Sequence, residues 1–311
     1  MSDAIQEALL LWGMGDADVS LHAHRENKVY RVVRKGEVFA LRVHRAGYRN
    51  DAELASELEW MAACAKAGVS VPRPIHSCGG KFLENFQGLQ IDLLAWLPGR
   101  TLSEVMTGSS ETRQSTLEKL GETAARFHVA ADKWTPQPEF DRPSWDIDGL
   151  VGDAPVWGPF WDQPFLSPDD AKVFEDFRAI ARNDLTASKC SEDCGLIHAD
   201  MLGENILVDG GKIHIIDFDD GGFGYRLFEL ATVLIRHMDA PDYDALKACL
   251  FAGYRRIRPL EDDAFELIMA LRATTYVGWI GDRDDLPDAK ERQVRNVSLA
   301  RDLITDYLAT R

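Results

Sequence analysis

Apolar and polar residues change their period along the chain. KVYRVVR (28–34) and VFALRVHR (38–45) are β-type runs on either side of KGE and predict an antiparallel hairpin. DAELASELEWMAACAKAG (51–68) repeats at three and four, with Leu54, Leu58, Met61 and Ala65 on one face. That spacing predicts an amphipathic helix, capped by Asn50 or Asp51 and ended at Gly68. A first helix is expected at about 3–13, before Gly13 and Gly15. VPRPIHS reads as a proline-stiffened connector, and GLQIDLLAWLPGR (88–100) as an apolar strand broken at Pro-Gly. Beyond residue 100 the helical period dominates. Leu117, Leu120, Ala124, Phe127 and Ala131 share one face of 111–131, and 168–185, 226–238, 241–256, 260–278 and 290–309 also predict helices. One hairpin interrupts them, NILV and KIHIID joined at DGG. The elements describe an α+β chain with a sheet-rich domain at 1–96, a short hinge near 95–100 and a larger helical domain at 97–311, with no internal repeat.

Composition narrows the classes. The chain has 311 residues, 45% of them apolar, enough for one large or two modest cores. Its formal net charge of -16 repels phosphate backbones and anionic membranes, so no nucleic-acid or membrane partner is expected. The five cysteines are scattered; Cys190 and Cys194 are the closest pair and lack a second pair or a histidine at zinc spacing, so reduced thiols are expected. The N-terminal stretch has acids where a signal peptide carries basic residues. No run reaches the roughly 18 apolar residues of a membrane span, and a cytoplasmic protein is expected.

The candidate chemistry lies in HADMLGENILVDGGKIHIIDFDD (198–220). A two-stranded ribbon brings its start and end together, so Asp200, Asn205 and Asp217 are expected at one edge. Carboxylate and amide oxygens suit magnesium, which binds through one or two carboxylates and the oxygens of a bound phosphate. A further carboxylate can accept a proton from an attacking hydroxyl. Taken singly, each residue also has a structural reading, as a turn cap or a packed histidine. Asp219 and Asp220 read equally as caps for a glycine-rich turn, GGFGY. Together, H-x-D-x-x-x-x-N, a hairpin and an apolar strand ending in D-F-D match both halves of the kinase catalytic signature.

These residues resemble the aminoglycoside phosphotransferase and choline kinase-like superfamily, which usually reads HGDLxxxN and then a strand ending in IDFxD. HADMLGEN and IIDFDDGGFGYRLFELA follow that pattern, with Ala199 where glycine is usual. The segment is most similar to the homoserine kinase-like and hydroxylysine kinase-like branch. The resemblance implies a bilobal protein-kinase-like fold, with a small antiparallel-sheet N-lobe and a larger, mainly helical C-lobe. It implies ATP and Mg2+ as cofactors, Asp200 as catalytic base, and Asn205 and Asp217 as magnesium ligands. Glu229 falls where the family usually has the aspartate of DLA, and reads as a structural contact.

A kinase also needs a phosphate-covering hairpin, a cation on the next strand and an acid on a helix to hold it. ENKVYRVV resembles the family's first hairpin, which implies that Asn27 and the backbone around Lys28 approach the phosphates. The strand position where the family carries lysine is Arg42, which keeps the sign and changes the geometry. Lysine there is expected to leave or raise activity. Glu57 lies beside the buried stripe of its helix and is the expected partner of Arg42. The resemblance places adenine against the main chain of Ala95 and Leu97.

For the acceptor, two segments stand out, APVWGPFWDQPFLS (154–167) and TTYVGWIGDRDD (274–285). Trp157, Trp161 and Trp279 with Asp282 suit an ammonium group, and Arg283 suits a carboxylate. Asp219 and Glu229 are further candidates for contact with the acceptor. Aromatics that only pack a core, beside a solvated acidic turn, are the competing reading. The function expected is transfer of the γ-phosphate of ATP to a hydroxyl of a small, amine-bearing acceptor of homoserine-, hydroxylysine-, choline- or aminoglycoside-like chemistry. A kinase-fold protein that binds nucleotide with weak turnover is the alternative that Arg42 raises. A protein Ser/Thr kinase lacks support, because no long activation segment follows Asp217. A haloacid dehalogenase-type phosphatase would use IIDFDD alone and leave HADMLGEN unexplained.

Overall fold

The computed structural model describes residues 2–24, 27–188 and 193–311. Glu26 of the predicted phosphate-covering hairpin and Cys190 lie outside the described residues. In chain order the elements are α1 (Ser2–Ala8), β1 (Asp18–His24), β2 (Lys28–Arg34), β3 (Glu37–Val43), α2 (Asp51–Lys66), β4 (Leu83–Phe86), β5 (Leu89–Ala95), β6 (Arg100–Thr101), α3 (Leu102–Val105), α4 (Ser110–Lys133), β7 (Ser144–Trp145), α5 (Ile147–Val151), α6 (Pro168–Ala187), β8 (Cys194–Ile197), β9 (Ile206–Asp209), β10 (Lys212–Ile215), β11 (Gly222–Tyr225), α7 (Arg226–Leu234), α8 (Tyr243–Arg255), α9 (Phe265–Gly281) and α10 (Ala289–Thr310). They form two units, one of 1–102, 130–142 and 205–219, the other of 103–129, 143–204 and 220–311. The stretch 198–220 is divided between them: Asp200 belongs to the second, Asn205 and Asp217 to the first.

The first unit is built on an antiparallel sheet in the order β1-β2-β3-β5-β4. One face is apolar: Tyr30, Val32, Phe39, Leu41, Val43, Ile91 and Leu93 pack on Ile5, Ala8, Leu9 and Trp12. Strand alternation therefore turns Arg42 and Asp92 to the other face. α2 starts with a capping box, in which the Asn50 side chain accepts from the Glu53 amide and the Glu53 carboxylate accepts from the Asn50 amide. Leu54, Leu58 and Met61 are buried as their spacing predicts. β1 and β4 carry no clear apolar alternation, because they are edge strands and most of their residues stay accessible to solvent. A second sheet, β10-β9-β6, contains the predicted hairpin, with Gly210 and Gly211 at positive φ in its turn.

The second unit is mainly helical around α9, which is buried on nearly every side. α9 begins at Phe265, five residues later than the period suggests. GGFGY, expected as a turn, is a strand instead. β11 pairs with β7 and β8, and a side chain on Gly222 would collide with the Pro143 carbonyl. Its glycines serve close backbone approach rather than a bend. Among the described residues, no helix is long and apolar enough to cross a membrane, and the cysteines Cys64, Cys78, Cys194 and Cys249 are free.

Candidate active site

In the second unit β8 delivers the chain into His198-Ala199-Asp200. Ala199 adopts φ 63, a left-handed conformation that costs an L residue about 1 kcal/mol or more. The turn is held from below by Glu229 of α7, whose Oε2 accepts from the Ala199 N–H at 2.9 Å. Burial pushes the Glu229 carboxyl up to about 8, against the opposing pull of the Ala199 amide, Arg226 and the His198 backbone. His198 is fully buried, and its Nδ1 accepts from the Asp200 N–H at 3.3 Å. Asp200 Oδ1 accepts from Arg272 Nη2 of α9 at 3.2 Å.

In the first unit the hairpin closes as predicted. Ile206 pairs with Ile215, and the Ile216 N–H donates to the Asn205 carbonyl at 2.9 Å. Asn205 and Asp217 therefore lie at the same open end of the ribbon. Asp217 adopts φ 66, turning the chain just beyond the strand.

Arg42 and Glu57 come together as well. Arg42 Nη1 donates to Glu57 Oε1 at 2.7 Å, and Glu57 is fully buried. A second acid was not foreseen. Asp92 of β5 is the direct cross-strand partner of Arg42, and accepts from Nε at 3.0 Å and Nη2 at 2.8 Å. His44 Nε2 lies 2.7 Å from the same carboxylate, and Arg142 Nη1 lies 3.8 Å from Glu57. Burial raises the Asp92 pKa, but Arg42 and His44 more than offset this and hold it at about 2. Burial also opposes ionisation of Glu57, and Arg42, Arg142 and His44 hold it below the ordinary range. The cluster is thus a desolvated, charge-paired network.

Residues 18–260 match the Phosphotransferase enzyme family, APH. The chain belongs to this family. Among curated relatives, amicoumacin kinase of Bacillus subtilis (strain 168) is 24% identical over 236 residues, covering 74% of this chain and 66% of its own length, just short of two thirds. A homoserine kinase of Methylobacillus flagellatus is 27% identical over 252 residues, covering 77% and 72%. Among solved structures, a microcompartment-associated aminopropanol kinase superposes with TM-score 0.84 at 24% identity, covering 100% of this chain and 98% of that one. Amicoumacin kinase hAmiN in complex with AMP-PNP, Ca2+ and Ami superposes with TM-score 0.78 at 20% identity, covering 96% and 92%. The fold is that of the kinase-like phosphotransferases, with an antiparallel sheet and a helical part as expected. The relatives are named kinases of small molecules.

The remaining predicted positions fall as follows. Asn27 Oδ1 accepts from the Arg45 amide at 3.1 Å, and Lys28 opens β2 opposite Val43. The Ala95 N–H donates to the Arg73 carbonyl at 2.9 Å, and Leu97 follows β5 half-buried. Asp219 belongs to the first unit, where its carbonyl accepts from Arg142 Nη2 at 2.6 Å and Arg49 Nη2 at 3.1 Å. Trp157, Trp161 and Trp279 all lie in the second unit, and each carries an arginine over a ring face: Arg272 at 5.0 Å, Arg178 at 3.8 Å and Arg283 at 4.2 Å. Asp282 is exposed at the end of α9. Arg283 also donates to the Trp279 carbonyl at 2.8 Å.

One amide oxygen and one carboxylate at one hairpin end form a hard, oxygen-only donor set, and that chemistry fits magnesium bound jointly with phosphate. The residues that the sequence reading missed are Asp92, His44, Arg142 and Arg272. Asp92 and Arg272 did leave a trace, as a charged residue inside an otherwise apolar strand (QIDLLA) and an otherwise apolar helix (IMALRATTYV).

Proposed function

We propose that the chain is an ATP-dependent phosphotransferase that moves the γ-phosphoryl group to a hydroxyl of a small, amine-bearing acceptor. The observation that carries this is the hairpin end: Asn205, five residues after Asp200, and Asp217 are brought together there. In the transfer, Asp200 accepts the proton of the acceptor hydroxyl. The hydroxyl oxygen bonds to the γ-phosphorus as the bond to the β-bridging oxygen breaks and ADP leaves. Asn205 and Asp217 would hold magnesium together with the phosphate oxygens, and the ion would supply charge neutralisation there. The 198–200 turn is rigid enough to hold a base in place, because Glu229 and His198 both bond its backbone. Asn27 and Lys28 at the first hairpin, and the main chain of Ala95 and Leu97, take the nucleotide side. Arg283, stacked on Trp279, favours an acceptor that also carries an acidic group, as homoserine-like molecules do.

The test is ADP release from magnesium ATP with a panel of homoserine, hydroxylysine, aminopropanol, choline and aminoglycosides, run beside Asp200→Asn. One acceptor is expected to stimulate release, and the variant to lose about 10²- to 10⁴-fold of that rate. No stimulation by any acceptor, with nucleotide still bound, would favour the second reading. That reading, a nucleotide-binding protein with weak turnover, draws on the engagement of all three Arg42 nitrogens by Glu57 and Asp92.

A further inference from the structure

Arg272 is a fully buried arginine in the middle of the most apolar helix of its unit. A guanidinium in such a place needs a full set of acceptors to offset its desolvation. It has them on three sides. Nε donates to Thr232 Oγ1 of α7 at 2.9 Å, Nη1 to Thr275 Oγ1 at 2.7 Å, and Nη2 to Asp200 Oδ1 at 3.2 Å. Both threonine hydroxyls commit their own hydrogens elsewhere, Thr232 to the Phe228 carbonyl and Thr275 to the Arg272 carbonyl. Their lone pairs are therefore left to the guanidinium. Tyr276, Trp157 and Phe228 enclose it, with ring centroids 4.2, 5.0 and 5.5 Å from its carbon. Trp157 is itself tethered through Nε1 to Asp220 Oδ1 at 3.3 Å.

A core arginine ordinarily meets an acid as buried as itself. This one reaches a carboxylate whose side chain keeps 20% of its surface accessible, in the segment where acceptor chemistry is expected. Such an arrangement constrains one torsion above all, the rotation of the Asp200 carboxylate. The arginine's own position is set by α7 and α9, and it holds Oδ1 through a charge-assisted bond. Glu229, the other acid close to this turn, is bonded to the Ala199 amide and does not compete for the guanidinium.

We propose that Arg272 is a positioning residue for phosphoryl transfer, fixing the plane of the Asp200 carboxylate through Oδ1 while Thr232, Thr275 and the Trp157–Phe228–Tyr276 rings fix Arg272. The proposal rests on the reading of Asp200 as the base. It assigns Trp157 a role beneath Arg272 rather than as a seat for an acceptor ammonium.

The test compares Arg272→Lys, Arg272→Ala, Thr275→Val and Asp200→Asn in the full chain. The probes are the slow magnesium-dependent hydrolysis of ATP, with water as acceptor, and the panel acceptor that most stimulates ADP release. Misorientation of a reacting group costs rate rather than nucleotide affinity, so kcat is expected to fall about 10- to 100-fold in Arg272→Ala, with KM for ATP within about twofold of wild type. Arg272→Lys retains the charge without the fork and is expected to recover part of that loss. Guanidinium ion added to Arg272→Ala is expected to restore activity, and to do nothing for Asp200→Asn. Should Arg272→Ala not fold, Thr275→Val removes one support and is expected to lower kcat about threefold or more, at unchanged KM for ATP. Wild-type kcat in both Arg272→Lys and Thr275→Val, or a rise in acceptor KM at constant kcat, overturns the positioning role. Full activity in Asp200→Asn overturns the reading of the base instead, so the two failures are distinct.

Discussion

Arg42 shows how one residue can keep its expected partner and gain a second. A lysine in its place presents a single point charge, but the guanidinium spans two acids, Glu57 through Nη1 and Asp92 through Nε and Nη2. An ammonium cannot make that fork, so Arg42→Lys leaves the fully buried Asp92 with His44 as its remaining strong partner. Breaking a buried pair in this way is expected to destabilise the protein by about 2–4 kcal/mol in urea unfolding. The expectation that lysine leaves or raises activity concerns turnover; the fork across two buried acids adds a cost in stability. If the cost comes from the stranded acid, Arg42→Lys combined with Asp92→Leu should be less destabilised than the two single changes added together. Additivity would refute that account.

At the scale of elements, the most informative contact is between α7 and the turn after β8. Glu229 carries a carboxyl that burial raises from 4.5 to about 8, so the folded chain holds a proton that the unfolded chain releases between those values. The stability contributed by the protonated form is complete below pH 4.5 and is lost as pH rises through about 8. Glu229→Gln imitates the protonated acid and removes this dependence. Relative to wild type, the variant should therefore gain stability as pH rises from 5 to 8, by an amount on the order of 4 kcal/mol at the upper end. Parallel stability curves for the two proteins would show that Glu229 is ionised in the fold. The elements themselves were legible to different degrees. The hairpin of β9 and β10 could be read because period-2 runs and a DGG turn are local signals. The edge strands β1 and β4 could not, because little of either is buried and burial is what writes a pattern. GGFGY reads locally as a turn, and only the crowding of β7 and β8 around it makes it a strand.

For the whole molecule, the prediction concerns nucleotide. A ligand that binds only the folded state stabilises it by about 2.7 kcal/mol at a hundredfold excess over Kd. AMP-PNP with magnesium is expected to raise the melting temperature of the wild type and of Asp200→Asn. Asp217→Asn should lose the magnesium-dependent part of that rise while keeping its own unliganded melting temperature near the wild-type value. An equal magnesium effect in Asp217→Asn would remove it from the ligand set.

The sequence by itself determined the α+β class, the hairpin that joins Asn205 to Asp217, the Arg42–Glu57 pairing and membership in a phosphotransferase family. All of these rest on signals within a few residues, or on a motif whose spacing is itself sequence. Tertiary structure alone decided that Asp92 would share Arg42 and that Arg272 would reach Asp200. The first needs β5 to lie beside β3 in one register, and the second needs α9 to pack beneath a loop 72 residues earlier in the chain. A charge inside an apolar run shows that a partner must exist, because burying it unpaired costs too much. Which partner it finds is set by strand order and helix packing, and these emerge only when the whole chain closes on its core.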